Sequence, residues 1–578
     1  MQNFQNCKTQ IYFSQVLCDS THSKYIIREE SKVNGKNEVA KILKQEGVEF
    51  VFCFPNNTLI DAVAEAGIRP IISRVERTAI NMADGYSRTT NGKKNGVCIF
   101  QAGPGIENAF SGVAQAFSDS SPILILPGHQ GNSRLGVTSD FNASQNYQHI
   151  TKWAGYVNNP ERIPEMMRRA YTNMRIGRPS PVLLEMPTDV MNAPFDAVYD
   201  IYEPVLPRKS SGDPKDIEKV VELLLRANNP IIYAGQGVLY AEASDELVEL
   251  SELLSLPVLT TTLGKSGFPE NHPLSLGTGG NSGTAMVGTY LRESDLVFGI
   301  GTSFQKTLAS APVPAGKIMI QSTIDDKDIN GEYKIDEVII GDSKLVLQQI
   351  ISCLKDRKVT VDLNRKQIVE KNIASIREVW LAEWMPRLTS DTSAISPYRV
   401  VWELETNLDK NKSIVTHDSG NPRDQIVPFY TTTLPRTYLG WGNSTPLGAG
   451  FGLAMGAKLA APDHTVVNLM GDTAVGMMGT DFETAAREKI GTITVIMNNG
   501  AMGGYEKHMP IAIEKYQSKY TTGEYAKMAE SLGAHSEKII NPADVGPAIR
   551  RAIKISADSQ PVVLEIITRE EPILSNYY

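Results

Sequence analysis

The 578-residue chain contains no run of about 18 apolar residues, so its sequence offers no transmembrane helix. Basic residues are in the minority: 57 Lys and Arg face 65 Asp and Glu, for a net charge of −8. That balance excludes the basic footprint of an ordinary nucleic-acid binder. Cysteine is sparse. Cys7, Cys18, Cys53, Cys98 and Cys353 are scattered and form no CxxC pair. They read as buried free thiols in a reducing, intracellular setting, and a cytoplasmic location is expected. Residues 1–30 hold short apolar patches such as Ile11-Tyr12-Phe13 but no basic stretch leading into a sustained apolar one. They are therefore read as an extension, not a signal peptide. No short repeat and no low-complexity tract interrupts the chain.

What is present is ordinary globular composition, 41% hydrophobic, 21% charged and 7% aromatic, which excludes a largely disordered chain. The length corresponds to roughly three to four domains of about 150 residues. Short apolar, β-rich runs alternate with helix-length segments. Candidate strands are Val97–Phe100, Ile123–Leu126, Val182–Glu185, Ile231–Tyr233, Leu296–Ile300, Thr465–Leu469, Thr492–Met497 and Val562–Ile567. Ile217–Ala227 and Ser244–Leu254 have helical spacing. The alternation predicts an α/β fold with mainly parallel sheets flanked by helices. Leu206–Pro214, punctuated by Pro and Gly, and the charged Leu354–Arg365 read as linkers, followed by a long helical pattern to about Arg387 and a turn-rich Ser393–Pro397. The expected domains are 31–205, 213–355 and 390–578.

Two constellations carry chemistry. In the last third, the strand Thr465–Met470 ends in Gly471-Asp472, with a helix expected over Asp481–Lys489. The strand Thr492–Met497 ends in Asn498-Asn499-Gly500. Ligands of open α/β sheets bind outside the carboxyl ends of strands. A carboxylate and an amide oxygen there are hard donors suited to Mg²⁺, with phosphate oxygens completing the shell. Gly471 allows close approach of such a phosphate. Taken alone, the same residues also read as a helix cap and a turn. In the first third, Glu76 follows the apolar Ile71-Ile72 and leads into a helical Thr78–Arg88. Val97–Phe100 then runs into Gly103-Pro104-Gly105, a strand, a tight turn and a helix start.

Glu76, Ala83-Asp84-Gly85-Tyr86-Ser87-Arg88, Gly103-Pro104-Gly105 with Asn108, Gly471-Asp472 and Asn498-Asn499, in this order, resemble the motifs of thiamine diphosphate enzymes. Within that family the pattern is similar to the acetolactate synthase, benzoylformate decarboxylase and oxalyl-CoA decarboxylase group, over residues 35–570. The resemblance implies pyrimidine-binding, central and diphosphate-binding domains in that order, thiamine diphosphate and Mg²⁺ as cofactors, and a homodimer or homotetramer whose sites lie between subunits. Glu76 matches the glutamate that shares a proton with the cofactor's aminopyrimidine ring. Asp472, Asn499 and the carbonyl of Ala501 match the metal ligands. Leu447, in Pro446-Leu447-Gly448, aligns with the apolar residue that props the cofactor in its bent shape. Asn421 and Arg423 fall in a loop touching the diphosphate, and Gly103, Gly471, Thr473 and Ala474 complete the cofactor contacts. Thr473 departs from the glycine usual there. Gln101, Ala102, Gln130 and Tyr505 are substrate-side candidates, and His129 and His508 are candidate proton shuttles. Acetolactate synthases carry Gln at the position of His129 and Trp near His508, a departure that points away from acetolactate synthesis itself. The Gly235-Gln236-Gly237 turn and Gly301–Lys306 lack the flavin-synthase signature, so no FAD is expected and the central domain is read as structural. The resemblance implies decarboxylation of a 2-oxo acid, with or without ligation of the acyl fragment to a second carbonyl. An acyl-CoA or diketone lyase is the alternative enzyme, and a non-catalytic cofactor-binding regulatory subunit the alternative of another class.

Overall fold

Three parallel sheets organise the chain, each built where the apolar runs alternate with amphipathic helices. The computed structural model describes residues 33–195 and 201–578; the extension 1–30, with Cys7 and Cys18, lies outside the described residues. A short antiparallel pair, β1 (Val33–Asn34) with β8 (Pro194–Phe195), closes the base of the first domain. Its main sheet contains β2 (Phe50–Cys53), β3 (Arg69–Ile72), β4 (Gly96–Phe100), β5 (Ile123–His129), β6 (Trp153–Tyr156) and β7 (Val182–Pro187), in the order β3-β2-β4-β5-β7-β6. The central sheet has β9 (Pro230–Ala234), β10 (Val258–Thr261), β11 (Ser275–Gly279), β12 (Leu296–Ile300), β13 (Ile318–Thr323) and β14 (Glu337–Ile340), ordered β11-β10-β9-β12-β13-β14. The third has β15 (Ser413–His417), β16 (Tyr438–Leu439), β17 (Thr465–Gly471), β18 (Thr492–Asn498), β19 (His535–Ile539) and β20 (Val562–Ile567), ordered β16-β15-β17-β18-β20-β19. Every pairing within the six-stranded sheets is parallel. The central strands are buried on both faces, as helix-covered parallel sheets require.

Several expected boundaries shift for identifiable reasons. Asp213-Pro214, read as linker, starts the helix Pro214–Arg226: the Asp213 carboxylate accepts the Lys215 N–H at 2.8 Å and Pro214 fills the first turn. The stretch Leu354–Arg365 is not a single linker. Its first residues finish the helix Ser343–Asp356, and Asp362 caps the next helix, Leu363–Leu388. A helix opens directly at Asp472 (Asp472–Met478), and the one expected over Asp481–Lys489 is confined to Phe482–Arg487.

The first and third domains share a core. The helices Glu76–Thr89 and Ala449–Ala460 cross with almost no side chain between them: a Cβ on Gly456 would lie 2.0 Å from the Met82 carbonyl oxygen. Met82, Tyr86, Phe451, Met455, Met470 and Ile496 belong to one apolar cluster around this crossing. A buried Asp84–Arg88–Asp119 group sits beside it, with Arg88 Nε 2.7 Å from Asp84 Oδ1 and Arg88 Nη1 donating to the Gly440 carbonyl at 2.7 Å. Of the described cysteines, Cys53 and Cys98 are buried and Cys353 half-buried, all unbonded. Burial pushes the Cys53 thiol up to about 12.

Candidate active site

The carboxyl ends of β15, β17 and β18 lie side by side, because β17 pairs in register with both neighbours. Each end carries a polar residue that the strand itself cannot bury in a ladder. At the end of β17, Gly471 has open space on its side-chain face: a methyl placed there would meet nothing nearer than Pro422 at 3.9 Å. Asp472 follows, 3% exposed. Its Oδ1 accepts the Thr473 N–H at 2.7 Å. Its Oδ2 accepts the Gly500 N–H at 2.9 Å and the Thr521 hydroxyl at 3.2 Å. Burial raises its pKa against the pull of these bonds. No basic side chain pairs with it among the described residues. A buried carboxylate with only dipolar partners is a site short of positive charge, which a divalent cation would supply.

The β18 end supplies the facing loop. Asn499 Oδ1 accepts the Ala501 N–H at 3.0 Å, and Ala501 bridges to Tyr520. Asn498 is held by the fully buried Glu565 at 2.7 Å, which also accepts the Ala526 N–H. Asp472, Asn499 and Ala501 therefore stand in one cluster. Gly420 and Asn421 border it: a methyl on Gly503 would lie 2.9 Å from Asn421 Nδ2, and Gly420 has open space around it. Thr473 is half-buried, its hydroxyl 3.4 Å from Asp472 Oδ1. The Ala474 methyl is buried in the core shared with the first domain.

Leu447 is joined to this cluster by a residue the sequence reading missed. Asp418, at the end of β15, is completely buried and accepts three backbone N–H groups, from Ser419 and Gly448 at 2.8 Å and from Gly450 at 3.0 Å. Burial nonetheless pushes its carboxyl up to about 6. The turn it holds needs Gly448 at φ 94°, and places Leu447 half-buried at the rim of the shared core. Its signal was present, an acid directly after an apolar strand, as at Asp472. Arg423 is paired with its chain neighbour. It is 3% exposed, forms a two-point pair with Asp424 at 2.7 and 3.1 Å, and Asp424 in turn accepts from Asn281 of the central domain.

On the first-domain side, Glu76 is the first residue of its helix and 6% exposed. Its carboxylate has no hydrogen-bond or ion-pair partner among the described residues. The Gly-Pro-Gly turn comes against it: a methyl on Gly105 would lie 3.9 Å from Glu76 Oε1. Gly103 sits at φ 66° and opens the helix Pro104–Ser118. Gln101 packs under Gly105, and Ala102 lies beside Gly128 at the end of β5. His129 follows and is 1% exposed. Its Nδ1 accepts the Gly131 N–H at 3.1 Å, so its proton is on Nε2, which lies 2.9 Å from Asp140 Oδ2. Tyr505 and His508 are exposed on the segment after the Asn499 loop, their rings 6.3 Å apart. No described hydrogen bond or ion pair joins the Glu76 carboxylate to the Asp472 cluster. The two sides meet through Arg77, which donates to the Leu447 carbonyl at 3.0 Å, and through Asp481.

The Gly235-Gln236-Gly237 turn, read as structural, lines a cavity of about 480 Å³ between the first and central domains, together with Gly301, Arg178 and Asp328.

The chain matches the thiamine pyrophosphate enzyme family in three consecutive pieces: the N-terminal TPP binding domain over residues 33–152, the central domain over 217–350 and the C-terminal TPP binding domain over 418–566. It is 32% identical over 573 residues to a probable acetolactate synthase large subunit of Methanococcus aeolicus, covering 94% of this chain and 93% of that one. To the corresponding protein of Methanocaldococcus jannaschii it is 30% identical over 560 residues, covering 93% and 92%. A glyoxylate carboligase of Escherichia coli O157:H7 is 28% identical over 567 residues, with 93% of each chain covered.

Proposed function

This chain belongs to the thiamine pyrophosphate enzyme family, and on that premise we propose that it decarboxylates a 2-oxo acid and transfers the acyl fragment to a second carbonyl or to a proton. It is a thiamine diphosphate-dependent enzyme of the carboligase and decarboxylase type. When bound, thiamine diphosphate supplies a nucleophilic carbon and an electron sink for reactions beside a carbonyl.

The observation that carries the reading is Glu76, a mostly buried residue whose carboxylate has no protein partner among the described residues and stands against the Gly-Pro-Gly turn. Its oxygens are left free of protein donors, so they are available to a ligand that bonds to them. Glu76 would share a proton with the aminopyrimidine ring, holding that proton where general acid–base chemistry needs it. A regulatory protein without turnover has no chemical use for this arrangement.

Asp472, the Asn499 amide oxygen and the Ala501 carbonyl would hold Mg²⁺, the cation supplying the charge that Asp472 lacks. Asn421 would donate to the diphosphate, while Gly471 and Gly103 leave room for the cofactor and Thr473 and Ala474 border it. Leu447 would support the cofactor's bend. Arg423 would reach the diphosphate only by leaving Asp424. His129, whose Nδ1 accepts the Gly131 N–H and whose Nε2 lies beside Asp140, would act as a proton shuttle, and His508 stands on the exposed segment that a substrate would pass.

The site is proposed to be shared between two chains, the Glu76 side of one facing the Asp472 side of the other. Exposed apolar residues around the Asn499 loop, Met477, Tyr505, Ile511, Tyr516 and Tyr520, support a covering partner there. Domain limits of 31–205, 213–355 and 390–578 and a cytoplasmic location complete the proposal. Its test is an NMR product assay with thiamine diphosphate, Mg²⁺ and pyruvate, followed by larger 2-oxo acids. Acetolactate, acetoin or an aldehyde is the expected product. Bound cofactor with no product from any 2-oxo acid would overturn the reading in favour of an acyl-CoA or diketone substrate.

A further inference from the structure

The turn between β3 and the Glu76 helix is gripped by a stretch of the third domain. Arg69 pairs with Glu488 at 2.8 Å, Arg487 donates to the Ile72 carbonyl, and Arg74 lies 3.9 Å from Glu483. These contacts are on the rim. One member is different. Asp481 is 0% exposed, and its two oxygens are divided between residues on either side of Glu76. Oδ1 accepts the Arg74 N–H at 2.6 Å, and Oδ2 accepts the Thr78 hydroxyl at 2.5 Å. Thr484 completes the set with a 2.7 Å bond to Oδ1.

A helix start leaves backbone N–H groups without internal partners, and a side chain at the capping position usually satisfies one. Here that position is Val75, which provides no such bond. Asp481, from another domain, does not cap those N–H groups; it holds the chain on both sides of the helix start, through the Arg74 N–H just before it and the Thr78 hydroxyl in its first turn. It bonds the backbone two residues before Glu76 and the side chain two residues after, which fixes the entry angle of the helix. We propose that Asp481 is the positioning residue for Glu76, setting where the glutamate's carboxylate points toward the aminopyrimidine ring. The inference rests on the thiamine diphosphate reading of Glu76.

The geometry bears on function because proton sharing tolerates little displacement. Glu76 has no bond of its own to hold it, so its placement depends on its backbone. Asp481 closes the short turn Gly479–Asp481 that directly follows the helix Asp472–Met478. Met478, its last helical residue, packs against Gly448, beside Leu447. The turn carrying Glu76 is thus seated on the same short stretch that carries the proposed metal ligand.

The test compares wild type with Asp481→Ala, Asp481→Asn and Thr78→Val. The first readout needs no cofactor: hydrogen–deuterium exchange of peptides spanning residues 70–80. Loss of the bonds to the Arg74 N–H and the Thr78 hydroxyl in Asp481→Ala should speed exchange there about tenfold. The second is exchange of the C2 proton of bound thiamine diphosphate, followed by quenched NMR. Misplacing Glu76 should slow it about 10- to 100-fold. The kcat should fall with it, while KM and cofactor affinity change by less than about threefold. Asp481→Asn should recover most of the rate, since its carbonyl still accepts from Arg74 and its amide can donate to Thr78. Equal C2 exchange in folded Asp481→Ala and wild type would overturn the proposal. So would a loss of cofactor affinity parallel to the loss of kcat, which would indicate general damage. If Asp481→Ala does not fold, Thr78→Val decides: slower C2 exchange supports the role, and an unchanged rate overturns it. Absence of C2 exchange in wild type would instead overturn the function reading, and the deuterium exchange would still decide whether Asp481 holds the turn.

Discussion

Asp418 and Asp472 are the same group at the ends of adjacent parallel strands, and their partners separate their roles. Asp418 is satisfied by three N–H donors and has no open face, so it holds the Leu447 turn. Asp472 faces open space beside Gly471 and remains short of positive charge. Asp472→Ala should weaken Mg²⁺-dependent retention of thiamine diphosphate by at least about tenfold, measured by dialysis with and without EDTA. Glu76→Gln should leave the melting temperature unchanged or higher and slow C2-proton exchange by about 10²- to 10⁴-fold. Asp418 gives a pH signature. With its folded pKa raised to about 6 from an ordinary 3.8, the native state keeps a proton that the unfolded chain has already released. Its contribution to stability is therefore complete at low pH, is lost as pH rises through about 6, and is flat above. Relative to Asp418→Asn, wild type should lose thermal stability between about pH 4 and 6, a trend read from melting curves across that range. Asp472 stood out in the sequence because it directly follows an apolar strand, and Glu76 because it lies just past one, where the structure opens a helix. Sequence spacing could not reveal that the adjacent Asp424 pairs with the Arg423 guanidinium.

Among the elements, the crossing of Glu76–Thr89 with Ala449–Ala460 depends most on single atoms. Gly456→Ala would place a methyl 2.0 Å from the Met82 carbonyl oxygen, where neither backbone can yield. The substitution should cost about 1–3 kcal/mol or more by urea unfolding, and it should loosen cofactor binding because the same helix begins beside Leu447. Interior strands such as Leu296–Ile300 and the start of Ile123–His129 were legible as continuous apolar runs, since both their faces are covered. Most edge strands were not, although Ile71-Ile72 in β3 was. Trp153–Tyr156 and His535–Ile539 are half-exposed and carry mixed residues, and Tyr438–Leu439 spans two residues. The helix at Asp472–Met478 escaped notice because Gly476 and two β-branched residues dilute its pattern.

At the scale of the whole molecule, the proposed sharing of the site between two chains can be tested by complementation. Glu76→Gln and Asp472→Ala each remove one side of the proposed site. In a mixed dimer, one of the two sites would be wholly intact and the other doubly defective. Co-expression of the two inactive variants should therefore restore about a quarter of wild-type activity, with statistical pairing. A site built within a single chain would show no restoration.

Composition and alternation were enough for three α/β domains, because a parallel sheet covered by helices leaves an apolar strand and an amphipathic helix in every repeat. The ordered strand-end motifs were enough for the cofactor class, because binding at strand ends concentrates its signal in a few turns. The tertiary structure alone decided which groups meet. Asp481 reaches across a domain boundary to the turn of Glu76, Asp418 closes the Leu447 loop, and Gly235-Gln236-Gly237 lines a cavity instead of only turning the chain. Each of these depends on how separately formed layers dock, and docking is fixed by shape and burial between residues far apart in the chain.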